Sequence, residues 1–550
     1  MSKEVLVNHK KSLEEAIVES IEKKEQEKSS LKGRMDWITM IIPLVLVLVM
    51  SIIIIAKPEQ SEYYLGVIRT FVGDSCGIYY QVIAGGIFVV TMFMAFSKIG
   101  NIKLGDKNDK KEFSDFKWGT MIFTSTMGAD LLFYSLSEWS MYASDPYIQD
   151  KGVQQWSATY PLFHWGPIAW GMYIVLAVAF GYMINVKKCT KQKYSEACRG
   201  VLGKRVDGWM GKAIDILGVF ALICGAATTF TVSAPLLSDA LCAVIGFKPS
   251  TTMSVTFLLI IAAVYTMAVV LGIKGISKLA TACTVLFLSL LSYFLFFGGE
   301  TRYIIETSYQ SLGNMLQNFV SMSTYMDPMR ENSFPQNWTI FYWAFWLVYC
   351  AGTPFFIGQI SKGRTIRNTV LGGYTWSLAG TFLSMMILGN YGMAQQFKHG
   401  VDVIGFIDNG GSYSQGIIKI FDTMPLPAFG LLLLIVTMIT FYSTTFDGIT
   451  MVISTYSYKS IKGGEEPDKK VMVFWALMLI MLPIALIFSE KSMYSIQSVT
   501  IIGAAPTGII LVMIIISFFK DVLKREDIKK DDLVQNDLSQ NDLVKNNIKE

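Results

Sequence analysis

Residues Trp338 to Arg367 read WTIFYWAFWLVYCAGTPFFIGQISKGRTIR. Aromatic residues crowd the first half, at 342, 343, 345, 346 and 349. Gly352 and Pro354 interrupt the apolar run, which ends on three cations, Lys362, Arg364 and Arg367. On a helix, positions three and four apart share a face. Tyr342, Trp346 and Tyr349 are therefore neighbours, and so are Trp343 and Trp346. Ring faces clustered inside a membrane can hold a cation that has no hydrogen to donate. The same spacing suits a packing face or an interfacial belt of aromatics.

The surrounding chain has 550 residues, 52% hydrophobic and 16% charged. Soluble domains carry about 25% charged residues, so this is a membrane protein. Apolar runs long enough to cross a bilayer as helices recur along it. Strand-like alternation is absent, which argues against a barrel. The expected fold class is all-α, with twelve transmembrane helices near 37–56, 77–97, 118–142, 162–184, 213–243, 252–272, 279–298, 338–360, 369–392, 426–455, 471–489 and 497–519. The N-terminus is polar up to about Ile38, so no cleavable leader is expected.

Lysine and arginine asymmetry sets the orientation, because basic loops stay on the cytoplasmic side. Loop 98–117 carries six lysines and loop 185–212 eight lysines and arginines. The intervening loops are poor: 57–76 has Lys57 and Arg69, and 143–157 has Lys151 alone. Lys274 and Lys278, then Lys362, Arg364 and Arg367, then Lys459, Lys462, Lys469 and Lys470 continue the pattern. Both termini are expected in the cytoplasm, in the inner membrane of the cell. Residues 1–36 read as a charged cytoplasmic arm, 37–519 as the twelve-helix membrane domain, and 520–550 as a cytoplasmic tail of mixed charge. Two outside segments are long. Residues 300–335 include an amphipathic stretch that would lie along the surface, and 393–425 are glycine-rich with a short helix.

Enzyme chemistry finds no footing. His9, His164 and His399 form no cluster, and the seven cysteines show no metal-ligand spacing. Phosphate loops, zinc motifs and nucleophile–base arrangements are missing. No cofactor is expected, and nucleic acid is not an expected partner.

Three further stretches carry unusual polarity for a membrane. The third span holds Gly128-Ala129-Asp130. A buried acid at that depth costs several kcal/mol unless it faces a cavity or partner, and small residues there permit local unwinding where the backbone lines a cavity. A protonated or helix-bonded Asp130 is the alternative. Glu138, two turns on, reads as an interfacial residue. The fourth span opens HWGPIAWGMY (164–173), with Trp165, Trp170 and Tyr173 around Pro167, which bends the helix entry. The tenth span contains Ser443, Thr444 and Thr445 beside Asp447. Hydroxyls with freed carbonyls suit a hard cation, although Ser and Thr also bond back to their own helix.

Taken together, FYWAFW…ISKGRTIR (341–367), HWGPIAWGMY and Thr444-Thr445-Phe446-Asp447 resemble the betaine/carnitine/choline transporter family over about 37–519. The resemblance implies a LeuT-like fold: inverted five-helix repeats, about 118–298 and 338–519, preceded by two extra helices. It implies discontinuous third and eighth spans with substrate between them, and a homotrimer supported by the amphipathic outside helix. By position, Trp165, Trp170, Tyr173 and Trp346 would box a trimethylammonium head, with Trp343 and Tyr349 beside them and Tyr349 on the cytoplasmic exit path. The family sodium site would fall on the carbonyls of Thr124, Met127 and Phe441 and the hydroxyls of Thr444 and Thr445. The Lys362–Arg367 segment matches the family's inner gate.

Three departures shape the expectation. Phe345 stands where the family usually has tryptophan. Asp130 resembles choline-type members, and choline, with a net charge of +1, lacks the carboxylate that a protein acid would replace. Thr353 and Cys283 stand where sodium-independent carnitine exchangers have a methionine and an arginine, and neither can replace the cation. The expected function is sodium-coupled symport of a quaternary ammonium compound (glycine betaine, choline or carnitine) by alternating access. The alternatives are proton-coupled choline uptake, substrate/product exchange and, remotely, a membrane sensor that does not transport.

Overall fold

The computed structural model describes residues 31–125, 128–271, 273–350, 352–461, 466–488 and 493–524. The arm before residue 31, the tail after 524, Met127 and the Lys462 loop lie outside the described residues. Helices dominate the described residues, and their β pairing is limited to two isolated bridges, Met35 with Tyr458 and Lys103 with Thr365.

Eight helices are long and apolar enough to cross a membrane alone, and ten spans result if two bent pairs are each counted once. The expected segments at 118–142 and 252–272 are the two outside this count. The first is divided into α3 (Asp115–Ser125) and α4 (Ala129–Ala143), too short singly; the second falls on a single helix, Thr251–Leu271.

Burial sorts the helices into layers. In α1 (Trp37–Ala56) 33% of the apolar window is buried, and in α2 (Ile78–Phe96) 39%. These two present Ile52, Val82 and Phe93 outward, as a lipid-facing wall requires. In contrast, 89% of the window is buried in Val153–Val186, which holds α5 (Val153–His164) and α6 (Pro167–Gly181). The figure is 78% for α7 (Trp209–Ile245). A helix buried all round belongs to the centre of the bundle.

The opening stretch is a bent pair. Its first limb ends in α11 (Ile340–Tyr349), its second is α12 (Thr353–Ile360), and the limbs turn by 58°. Gly352 caps the second limb and Pro354 occupies its first turn, where a missing N–H costs no hydrogen bond. Past the bend, α12 lies tightly on α6. A Cβ on Gly358 would stand 2.6 Å from the Ala177 carbonyl and the Gly181 nitrogen, so only glycine allows this approach. Phe180 and Phe355 stack beside the crossing at 3.7 Å and 5°.

The amphipathic outside stretch is the helix Thr301–Thr324, bent by 111° from Thr281–Phe297. It exposes Tyr309, Leu316 and Val320. The glycine-rich 393–425 region contains Ile404–Asp408 and Tyr413–Asp422, the latter with a Ser412–Gln415 capping box.

Candidate functional site

Four rings meet where the fourth span breaks. Helix α5 ends at His164, Trp165 and Gly166 are non-helical, and Pro167 starts α6. A break frees backbone carbonyls that must find partners away from water. The His164 carbonyl accepts the Trp346 indole N–H at 3.0 Å, and the Trp165 carbonyl accepts the Thr381 hydroxyl at 3.0 Å. Trp170 donates its indole N–H to the same Thr381 oxygen at 3.3 Å. The unwound backbone thus orients the aromatic walls. Thr381 belongs to the helix Ile366–Ser384, and nothing in its local sequence marks it.

Trp346 is the hub. Its ring lies 5.4 Å from Trp165, 4.8 Å from Trp170 and 5.3 Å from Tyr173, with interplanar angles of 65–80°. Trp170 and Tyr173 meet at 5.5 Å. All four are buried. The four residues expected to form the box are therefore brought together. Phe345 contributes a fifth ring 6.0 Å from Trp165, and Tyr134 on α4 a sixth at 5.7 Å.

Trp343 and Tyr349 point elsewhere. Trp343 donates to Gln81 of α2 at 2.9 Å and packs on Phe163 and His164, so it braces the scaffold beside the box. Tyr349 donates to the Gly225 carbonyl of α7 at 2.6 Å and meets the Thr229 hydroxyl. Asp130 is buried in the first turn of α4 and faces Thr229, with Tyr173 and Tyr349 within electrostatic reach. A Cβ on Gly128 would meet Asp130 Oδ1 at 2.0 Å, so the glycine makes room for the acid.

The cation set divides likewise. Thr124 is on α3; Phe441, Thr444 and Thr445 are on the helix Pro427–Tyr456, which lies against both α3 and α4. Ser443 donates to Ile439 O at 2.9 Å and Thr444 to Phe441 O at 3.0 Å. This is back-bonding to their own helix, and it leaves each hydroxyl oxygen with lone pairs to offer. Asp447 follows the hydroxyls on the same helix, and its Oδ1 is buried without a hydrogen-bond partner among the described residues. Cys283 Sγ lies 3.8 Å from Thr444 Oγ1.

Glu138 departs most from its sequence reading. It is fully buried, not interfacial. Its Oε2 accepts the Trp165 indole N–H at 2.7 Å and its Oε1 the Tyr142 hydroxyl at 2.5 Å. The spacing Asp130, Tyr134, Glu138, Tyr142 is i, i+4 throughout, a polar stripe on one helix face, and that periodicity was the available signal.

At the other end of the third span, Arg364 forms a latch. It is buried, donates to Asp115 at 2.5 Å, Asn368 at 2.8 Å and Phe113 O at 2.9 Å, and lies 4.1 Å over the Trp118 ring. Arginine's planar fork allows such combined stacking and bonding. Lys111 and Arg364 hold the Asp115 carboxyl below the usual carboxylate range.

An all-helical, multi-pass membrane protein with an aromatic box at a helix break is the class these features define. The betaine/carnitine/choline family transporter model matches residues 38–527, and the chain belongs to that family, whose members are transporters and not enzymes. A probable glycine betaine transporter of Desulfitobacterium hafniense is 30% identical over 84% of this chain and 92% of its own length. The glycine betaine transporter OpuD of Bacillus subtilis is 29% identical over 86% and 91%. An osmo-independent choline transporter, BetT1 of Acinetobacter baylyi, is 27% identical over 87% and 91%. Among solved structures, a Na+-coupled sialic acid symporter in a substrate-bound outward-open state matches with a TM-score of 0.39 and 12% identity, over 75% of this chain and 79% of that one.

Proposed function

We propose that the chain is a secondary active transporter of a trimethylammonium compound, coupled to sodium and working by alternating access. The observation that carries this is the convergence of Trp165, Trp170 and Tyr173 on Trp346. Each desolvated ring face is worth about 0.5–2 kcal/mol to a cation. Sodium would bind at Thr124, Met127, Phe441, Thr444 and Thr445, joining the third and tenth spans. In this reading twelve spans form two inverted repeats after two extra helices. Both termini are cytoplasmic, the protein sits in the inner membrane, and the exposed apolar face of Thr301–Thr324 supports a homotrimer.

A second reading, proton-coupled choline uptake, is favoured by one observation: Asp130 is buried within electrostatic reach of Tyr173, where its carboxylate would supply what choline lacks. Uptake of labelled choline, glycine betaine and carnitine, across a matrix of sodium and pH, tests both. Sodium-stimulated uptake supports the first reading. Sodium-independent, acid-stimulated choline uptake supports the second, and no uptake of any of the three overturns both.

A further inference from the structure

Glu138 heads a chain of hydrogen bonds that crosses three elements. Its Oε1 lies 2.5 Å from the Tyr142 hydroxyl, which lies 2.5 Å from His164 Nδ1. His164 Nε2 is 3.1 Å from Thr339 Oγ1, in the turn Pro335–Thr339 that precedes α11. Its Oε2 meanwhile holds the Trp165 indole. Among the described residues no lysine or arginine forms an ion pair with it.

Donor accounting shows that this chain has two complete polarities. With Glu138 ionised, Thr339 donates to His164 Nε2, His164 Nδ1–H to Tyr142, and Tyr142 to the carboxylate. With Glu138 protonated, its O–H donates to Tyr142, Tyr142 to His164 Nδ1, and His164 Nε2–H to Thr339. Each bond survives reversal, and His164 stays neutral in both by changing tautomer. The proton gained by Glu138 is the sole change in charge.

That change bears on the box through Trp165. An anion accepting an indole N–H makes a stronger bond than a neutral acceptor and leaves the ring face more negative toward a cation. We propose that Glu138 is a positioning residue for the substrate box, and that the Tyr142–His164–Thr339 chain makes the Trp165 wall proton-sensitive. Ionised Glu138 favours the bound cation; protonated Glu138 weakens it. This rests on the box holding a quaternary ammonium ligand.

Other titratable groups near Glu138 are Tyr134, Tyr142 and Asp130 on its own helix, Tyr160 and His164 on α5, and Tyr342 on α11, whose ring stacks on His164 at 4.7 Å. Asp145 accepts the Trp338 indole at 3.0 Å. From the helix Asn390–His399, Lys398 and His399 are engaged by Glu300. Asp447 is on the tenth-span helix. Asp130 is the group whose titration competes with Glu138 as an explanation.

The test measures binding of choline and glycine betaine to the purified full chain by tryptophan fluorescence, from acid to alkaline pH. Glu138→Gln keeps the bond to Trp165 and locks the chain in its protonated polarity. It is expected to weaken binding about tenfold at the alkaline end, where the wild type carries the anion, the scale of one charge-assisted hydrogen bond, and to be insensitive to pH. The wild type should weaken toward the Gln value on acidification, and Glu138→Asp should restore a pH response. Wild-type affinity in E138Q, or an unchanged pH response in it, overturns the inference and assigns any response to Asp130. If E138Q does not fold, Tyr142→Phe serves instead. Losing one donor to the anion favours protonation, so weakening should begin at higher pH; an unshifted profile overturns the inference. A wild type that binds neither ligand would fail the box reading instead.

Discussion

Trp346 and Trp170 meet at 4.8 Å across the break of the fourth span, and each indole N–H is held by a group that break has organised. The box is thus a consequence of two interrupted helices facing each other. Trp346→Ala removes the ring shared by all three contacts. It should abolish uptake while leaving folded protein in the membrane, and lost binding should exceed tenfold, since one desolvated ring contributes about 0.5–2 kcal/mol and three partners lose their packing. Uptake kinetics with a folding control check this; unchanged kinetics would remove the box assignment.

Asp130 lies within electrostatic reach of the box wall formed by Tyr173. Asp130→Gly should raise the KM for choline by about tenfold or more while shifting that for zwitterionic glycine betaine by only a few-fold, because only choline needs the protein's carboxylate. Parallel uptake assays with the two substrates measure the ratio. Equal effects on both would place Asp130 outside substrate recognition.

Thr444 and Thr445 together should matter more than either alone, because two hydroxyl ligands are removed from one cation. Thr444→Ala with Thr445→Ala should shift the sodium concentration for half-maximal uptake upward by about tenfold or more. Sodium titration of uptake reads the shift. Wild-type uptake that ignores sodium would show the assignment to be mistaken.

Arg364→Lys keeps the charge but loses the fork and the stacking on Trp118. Maximal uptake should fall about tenfold with substrate affinity little changed, the pattern of a residue acting on a conformational step. The latch should also resist acid. Because the Asp115 carboxyl is held below the usual range, its pairing with Arg364 is present above that range and lost only as pH falls through the lowered value. Asp115 is 68% exposed, so solvent screens the pair, and its effect on overall stability should be small in thermal melts of Asp115→Asn.

Composition alone determined that this is a helical membrane protein, because a chain this apolar must satisfy its backbone within helices. Local spacing also placed the breaks, since Gly352, Pro354 and Pro167 act on the adjacent backbone. Family-specific motifs then selected Trp165, Trp170, Tyr173 and Trp346, and those four do meet. The tertiary structure decided which aromatics turn away. Trp343 and Trp346 are three apart on one helix, yet one bonds Gln81 and the other the His164 carbonyl. It also decided the role of Glu138. Hydropathy reads a carboxylate near a span's end as interfacial, because it registers depth along a helix and not what packs around it. Burial and partners such as Thr381 and His164 come from other helices, and such long-range pairings leave no mark in the residues on either side.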